Sequence, residues 1–90
     1  MEIEYDPAKR KKTVQERGLD FDRCGEFFKG PILEREDTRI DYGESRFIAF
    51  GLLDDRMVVV VWTARGDKRR IISMRKANER EQKRFRKRLG

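Results

Sequence analysis

The sequence predicts one α+β domain over residues 1–90, with two N-terminal helices, a four-stranded antiparallel sheet and a C-terminal helix. Three observations support this class. Before residue 31, helix-capping residues bracket two short segments. From residue 32, apolar residues alternate or cluster between turn signals, which is typical of strands. Residues 76–89 are mostly charged around a narrow apolar stripe, which is typical of a surface helix.

Two short helices are predicted before the sheet. The first begins at Asp6-Pro7, because Asp caps free amide groups and Pro fits a first helical turn, and it ends at Gly18. The second is predicted over residues 22–29 and ends at Gly30-Pro31. Its predicted inward-facing residues are Cys24, Phe27 and Phe28.

Turn signals divide the middle of the chain into four predicted antiparallel strands. The signals are Asp41-Tyr42-Gly43, Asp54-Asp55 and Gly66-Asp67. The second and third strands are apolar on both faces, which predicts central strands that are covered on both sides. Either the C-terminal helix or a partner protein supplies the second cover. The predicted strands lie at about residues 32–38, 46–53, 57–64 and 69–75.

The C-terminal helix is predicted over residues 76–89. Its apolar stripe consists of Ala77, Phe85 and Leu89, and we expect weak docking because the stripe is narrow.

Positive charge is concentrated at this end of the chain. The chain has a net charge of +6, and residues 65–90 hold 12 basic and 3 acidic side chains. This asymmetry predicts a positive face for a polyanion, which we interpret as RNA.

The composition excludes several classes of protein and site. With one cysteine and no histidine, the chain has no internal disulfide and no credible zinc site or nucleophilic triad. We interpret Cys24 as core packing, since no histidine is present to activate it. Asp54-Asp55 and residues 34–37 are interpreted as a turn and an edge strand rather than a magnesium site. No metal, cofactor, signal peptide or membrane span is expected, and a cytoplasmic location is predicted.

The last hairpin allows a prediction of which residues share a face. If Gly66-Asp67 is a two-residue loop, Thr63 lies opposite Arg70 and Val59 opposite Met74. That face is interpreted as core, and Val61 opposite Ile72 belongs to it. The other face then displays Arg69, Ser73 and Arg75 beside Trp62. Two interpretations of Trp62 stay open, a surface on which a base stacks and ordinary core packing.

Catalysis without histidine has to depend on cations. Arginines can stabilise a pentacovalent phosphorane while the RNA 2′-hydroxyl attacks its own phosphate, which gives a cyclic phosphate and a 5′-hydroxyl end. Lysines, or a carboxylate such as Glu16, are the candidate proton carriers. The predicted RNA-binding residues are Lys9, Lys12, Trp62, Arg69, Lys76 and Arg80.

An ordered set of segments resembles the BrnT toxins of bacterial type II toxin–antitoxin modules. The segments are Glu4-Tyr5-Asp6-Pro7-Ala8-Lys9, Gly18-Leu19-Asp20-Phe21, Arg46-Phe47-Ile48-Ala49-Phe50-Gly51, Thr63-Ala64-Arg65-Gly66-Asp67 and Arg70-Ile71-Ile72-Ser73-Met74-Arg75-Lys76-Ala77. The resemblance implies a RelE-like fold, ribonuclease activity that halts translation, and neutralisation by a BrnA-like antitoxin. It also implies a hetero-oligomer in which toxin and antitoxin bind their own promoter DNA as a repressor. By motif match it assigns functional roles to Lys9, Arg65, Arg70, Ser73 and Arg75, the last four of them catalytic.

Two positions differ from the usual pattern of that family. The chain has Glu16-Arg17-Gly18 where the family usually has Lys-His-Gly, and Phe85 where the last helix often has Tyr. These differences favour an alternative, a catalytically weak or inactive homologue that acts as antitoxin partner and co-repressor or as an RNA-binding module. A third hypothesis is a positively charged ribosomal accessory protein.

Overall fold

A computed structural model describes the backbone of residues 1–89 and the side chains through Arg88. The chain forms a five-stranded mixed sheet with helices on both faces. The elements are β1 (Glu2–Glu4), α1 (Pro7–Arg17), a 3-10 helix (Phe21–Arg23), α2 (Cys24–Lys29), β2 (Ile32–Asp37), β3 (Arg46–Leu53), β4 (Arg56–Arg65), β5 (Lys68–Lys76) and α3 (Glu79–Leu89). None of the helices within residues 1–89 is long and apolar enough to cross a membrane. Gly90 and the side chain of Leu89, which the sequence analysis assigned to the basic segment and the apolar stripe, lie outside the described part.

The α+β class is confirmed, but the prediction of four antiparallel strands is wrong. The sheet has five strands in the order β1-β5-β4-β3-β2, and β1 pairs with β5 in parallel. The additional strand is only three residues long, so its sequence shows no detectable alternation. Ile3 of this strand packs against the core, which holds β1 at the edge of the sheet.

The N-terminal helices follow the capping signals closely. Asp6 accepts a hydrogen bond from the backbone amide of Ala8, and Gly18 ends α1 in the left-handed region with φ of 66°. The second helical segment differs from the prediction of one helix over residues 22–29. It starts as the 3-10 helix capped by Asp20 and becomes α-helical only at Cys24.

The sheet buries both of its faces. The N-terminal face packs against the 3-10 helix and α2, and its buried strand residues are Ala49, Leu53, Val58, Val60, Trp62, Ile71 and Met74. The opposite face, which we call the α3 face, buries Ile48, Met57 and Val59 against Ala77 and Phe85. Phe85 of α3 and Ala77 just before it therefore supply part of the second cover, which was one of the two alternatives left open by the sequence. The helix begins at Glu79 and not at Lys76 as predicted, because β5 continues through Lys76.

A β-bulge changes the register of the last hairpin. The predicted two-residue loop is present, and the pairs from Arg65 opposite Lys68 to Trp62 opposite Ile71 match the prediction. Between Val61 and Trp62 the register then shifts, so that Ile72 becomes an extra residue in β5. Beyond it, Val61 lies opposite Ser73, Val60 opposite Met74 and Val59 opposite Arg75.

The bulge corrects the predicted assignment of faces. Ser73 and Arg75 were expected beside Trp62, but they lie on the α3 face, whereas Arg69 stays on the face of Trp62. Met74, which was predicted opposite Val59, turns to the N-terminal face and is fully buried there. One extra residue reverses the side of every residue after it, and nothing in the alternation of β5 signals where it lies.

Candidate active site

A row of polar side chains crosses the α3 face at one end of the sheet. The row takes one residue from each strand, and each residue lies directly opposite the next in the register. Residues in register share a face, and with strands about 4.8 Å apart the row spans about 19 Å. From β2 to β1 the row consists of Asp37, Arg46, Thr63, Arg70 and Glu4. We call it the polar row.

One end of the polar row holds a tight ion pair. The Asp37 carboxylate accepts hydrogen bonds from Arg39 Nε at 2.9 Å and Nη2 at 3.0 Å, and from the Arg39 backbone amide at 3.2 Å. Only 4% of the Asp37 side chain is exposed. The hydrogen bonds from Arg39 lower the pKa of Asp37 to about 2. Arg39 is thereby held next to the row by a carboxylate that stays ionised at neutral pH.

The two arginines in the middle of the row are paired only loosely. Arg46 Nε lies 3.5 Å from Glu44 Oε1, and Arg70 Nη1 lies 3.6 Å from Glu4 Oε1. Arg46 Nε has no hydrogen-bond partner among the described residues. The Arg46 guanidinium also lies 3.7 Å from the centre of the Tyr42 ring. Arg46 Nε is itself buried. The Arg46 and Arg70 side chains are 26% and 30% exposed, and no hydrogen bond of their terminal nitrogens is present among the described residues, so those nitrogens can donate to an anion from solvent.

Thr63 fixes the spacing of these two arginines. Its side chain is buried, and Oγ1 donates a 2.6 Å hydrogen bond to the backbone carbonyl of Ser45. The hydroxyl is therefore committed to holding β4 against the start of β3. With one strand between them, the Cα atoms of Arg46 and Arg70 are about 10 Å apart, and two long side chains can reach one phosphate across that gap.

Ser73 is the next residue of β5 on this face after Arg70. It is half-buried opposite Val61, and no hydrogen bond of its hydroxyl is present among the described residues. The bulge at Ile72 brings Ser73 to this face, so a feature that the sequence did not signal places it beside the row. A hydroxyl in this position can donate to a phosphate oxygen.

Arg75 is engaged with α3. Its Nη1 and Nη2 donate to Glu81 Oε1 and Oε2, both at 2.8 Å. Glu81 also accepts from the Asn78 amide at 2.9 Å, and Asn78 Oδ1 accepts from the Glu81 amide at 2.8 Å, which is a reciprocal helix cap. The pairing raises the pKa of Arg75 and lowers the pKa of Glu81. Arg75 was assigned a catalytic role from the sequence, whereas here it anchors the start of a helix.

Trp62 and Arg69 form a cluster on the opposite face. The Trp62 ring stacks on Phe47 with centroids 4.8 Å apart, and the Arg69 guanidinium lies 4.6 Å from the Trp62 ring and 3.9 Å from the Phe28 ring. Only 6% of Trp62 is exposed. Of the two interpretations of Trp62, the structure supports core packing, and Arg69 is part of its cover.

The remaining candidates are distributed over the surface. All are exposed, and none forms an ion pair within the described part of the chain. They are Lys9, Lys12 and Glu16 on α1, Arg65 at the hairpin, Lys76 at the end of β5 and Arg80 on α3.

Three residues of this region were not predicted from the sequence as site residues. Glu4 was missed because β1 was not recognised, and Arg39 because it lies in a loop. Arg46 was noted only as part of a motif. A usable signal existed for Arg46, since it precedes Ile48 and Phe50 at alternate positions of β3, and these two pack on the α3 face.

The two positions that differ from the usual family pattern both have structural contacts. Arg17 Nη1 donates a 2.9 Å hydrogen bond to the Met74 carbonyl, which ties the end of α1 to β5. Phe85 is buried beside Met57 and Val59 and holds α3 on the sheet.

The described part of the chain contains no cluster of side chains that could hold a metal ion. Within residues 1–89, no three histidine, cysteine, aspartate or glutamate side chains are placed to hold a metal ion. The acidic turn instead uses Asp54 to bind Arg23, with both carboxylate oxygens accepting at 2.9 Å. The buried Cys24 has its pKa raised to about 12, chiefly by burial.

Comparison with known families gives one match. A family model described as the ribonuclease toxin BrnT of type II toxin–antitoxin systems matches residues 5–81. No curated protein matches the chain. The matched segment contains α1 and strands β2 to β5. Of the five strands that contribute to the polar row, β1 lies outside it.

Proposed function

The chain belongs to the BrnT family of ribonuclease toxins of type II toxin–antitoxin systems, and from this premise we propose that it cleaves RNA at the polar row without a metal ion. The observation that carries this proposal is the pair of loosely held arginines, Arg46 and Arg70, on either side of Thr63. Guanidinium groups match phosphate geometry and remain charged at neutral pH.

The proposed reaction is an attack of the RNA 2′-hydroxyl oxygen on the adjacent phosphorus. The bond from phosphorus to the 5′-oxygen breaks, and the products are a 2′,3′-cyclic phosphate and a 5′-hydroxyl end. Arg46 and Arg70 stabilise the charge that develops on the phosphoryl oxygens. Glu4, beside Arg70, accepts the proton of the 2′-hydroxyl, and the leaving 5′-oxygen takes a proton from solvent. Ser73 donates to a phosphoryl oxygen.

Substitution of the two arginines tests the proposal. We expect Arg46→Ala and Arg70→Ala each to lower the rate of RNA cleavage about 100-fold, the usual loss when one donor to a developing anion is removed. Lys87→Ala is the matched control, because it removes an exposed cation of α3 outside the row. An equal effect of all three substitutions would contradict a localised site and would indicate that only general positive charge matters.

A second candidate function is supported by the charge balance around the row. Four arginines of this region each have a carboxylate within 4 Å, which offsets much of the positive charge of the surface. The pairs are Arg39 with Asp37, Arg46 with Glu44, Arg70 with Glu4 and Arg75 with Glu81. This arrangement favours a catalytically weak homologue that acts as antitoxin partner and co-repressor. Harmless overexpression together with tight binding of the antitoxin would support this function over the enzyme.

An antitoxin protein is the partner of a type II toxin. The finer assignments are part of the proposal: a BrnA-like antitoxin, a RelE-like fold, promoter DNA bound by the toxin–antitoxin complex, and an RNA substrate in the cytoplasm. The cations of α1 and α3, such as Lys9, Lys12 and Arg80, then attract the RNA rather than cut it, since they lie outside the row.

A further inference from the structure

An open groove of about 880 Å³ lies beside α3 at the end of the α3 face opposite the polar row. Its apolar lining includes Leu52, Met57, Ala77 and Phe85. Leu52 is 42% exposed, although it lies near the end of β3 with Met57 as its cross-strand neighbour. Phe85 reaches the sheet at one side of this groove, so α3 leaves part of the apolar surface uncovered.

The edge of the groove is mostly basic. Arg56, Lys76 and Arg86 line it together with one acidic residue, Asp55. An apolar floor with a cationic edge is complementary to an amphipathic segment that carries carboxylates around apolar side chains.

We propose that this groove is where the antitoxin docks an acidic amphipathic segment. Apolar side chains of that segment cover the exposed Leu52 above the floor of the groove, and its carboxylates pair with Arg56, Lys76 and Arg86. The proposal follows from membership of a type II system and does not depend on how, or whether, the toxin cleaves RNA.

Two other occupants fit the groove less well. RNA would satisfy the cations, but its phosphates cannot cover an aliphatic floor. Phe85, the aromatic residue among the described residues of the groove, is only 5% exposed and offers no stacking surface. A two-fold dimer through this groove would place Arg56, Lys76 and Arg86 against the same cations of the second copy, and like charges across an interface are unfavourable.

The groove is distant from the proposed catalytic residues. From Met57 to Thr63 along β4 the separation is about 20 Å at 3.3 Å per residue. An antitoxin anchored in the groove therefore needs about 6 further extended residues, or about 13 helical ones, to reach the polar row. Anchoring and active-site cover can consequently be separated by mutation.

The test measures the dissociation constant between the toxin and its separately purified cognate antitoxin. We expect Leu52→Asp to raise this constant at least about 30-fold and Arg86→Glu about tenfold, because both act within the anchor. Val14→Asp is the control for Leu52→Asp, because it introduces the same carboxylate on α1 at a residue that is 41% exposed, close to the exposure of Leu52. Lys87→Glu is the control for charge reversal on α3. Both controls are expected to change the constant less than about threefold.

The measurement also distinguishes the other occupants. Leu52→Asp is expected to leave RNA cleavage unchanged, and circular dichroism verifies its fold; if that variant does not fold, the exposed Arg86→Glu decides alone. Unchanged antitoxin affinity in the groove variants would overturn the proposal. So would a loss confined to RNA binding, or a concentration-dependent toxin dimer in sedimentation that Leu52→Asp abolishes. If Arg46→Ala changes the rate of RNA cleavage but leaves the antitoxin affinity normal, the result concerns the proposed catalytic role of Arg46 and not the docking groove.

Discussion

The contact between Arg75 and Glu81 allows two roles of Arg75 to be separated experimentally. The sequence assigns Arg75 to catalysis, whereas the structure engages it in two 2.8 Å hydrogen bonds with Glu81. We predict that Arg75 positions α3 and does not bind the phosphate. The informative perturbations are Arg75→Ala, Glu81→Gln and the double variant. Glutamine keeps an oxygen that can accept from the Asn78 amide, so the helix cap survives while the charge is lost.

The size of the coupling follows from the geometry and exposure of the pair. Fully exposed pairs contribute about 0.2–1 kcal/mol, and charge-assisted hydrogen bonds about 1.5–3 kcal/mol. The Glu81 side chain is 18% exposed and the Arg75 side chain 44%, so the pair lies between these cases. We expect a coupling free energy of about 1–1.5 kcal/mol in a double-mutant cycle. Each single variant should then melt about 4–12 °C lower than the parent chain.

Urea unfolding and RNA cleavage of the same four proteins provide the assay. If Arg75 positions α3, both single variants lose similar stability, cleavage falls less than about tenfold in each, and the double variant is no worse. If Arg75 binds the phosphate, Glu81→Gln frees it and cleavage is kept or rises, whereas Arg75→Ala loses about 100-fold. That second pattern would refute the positioning role.

Three further predictions concern the fold. Gly51→Ala places a Cβ 2.8 Å from the Phe27 ring and should destabilise the chain by about 1–3 kcal/mol in urea unfolding. Gly25→Ala is the contrasting case, because this helical site has nothing within 4 Å of an added Cβ, and it should stabilise the chain by about 0.5–1 kcal/mol. The pKa of Asp37 is lowered from 3.8 to about 2, so its contribution to stability is complete above about pH 4 and is lost as the pH falls toward 2. The difference in unfolding free energy between the parent chain and Asp37→Asn should therefore shrink over that range. Asp55 has φ of 62°, so Asp55→Gly should raise the melting temperature, and an unchanged or lower value would contradict strain at that turn.

Signals that act over a few residues predicted much of the fold. The Asp6 and Gly18 caps gave α1 its ends, and the Gly66-Asp67 loop gave the start of the last hairpin its pairing. These features depend on backbone geometry that a few side chains dictate. The parallel strand β1 depends instead on a partner more than sixty residues away, which no local pattern encodes.

The site was harder to predict than the fold. A single bulge at Ile72 moved Ser73 and Arg75 to the other face, and only the three-dimensional register shows it. Glu81, which accepts both hydrogen bonds from Arg75, belongs to the following helix. The motif that contains Arg75 therefore does not show that its guanidinium is already in an ion pair. Arg46 joins the row because three strands align, which is a property of the sheet rather than of any one segment.

The most direct test of the account is to map the ends that the purified chain produces on a defined RNA in the presence of EDTA. The proposed mechanism predicts cleavage with 2′,3′-cyclic phosphate and 5′-hydroxyl ends, no cleavage where the scissile nucleotide lacks its 2′-hydroxyl, and loss of cleavage with Arg46→Ala or Arg70→Ala. Cleavage that requires Mg²⁺, leaves 5′-phosphate ends, or persists unchanged in both arginine variants would contradict it.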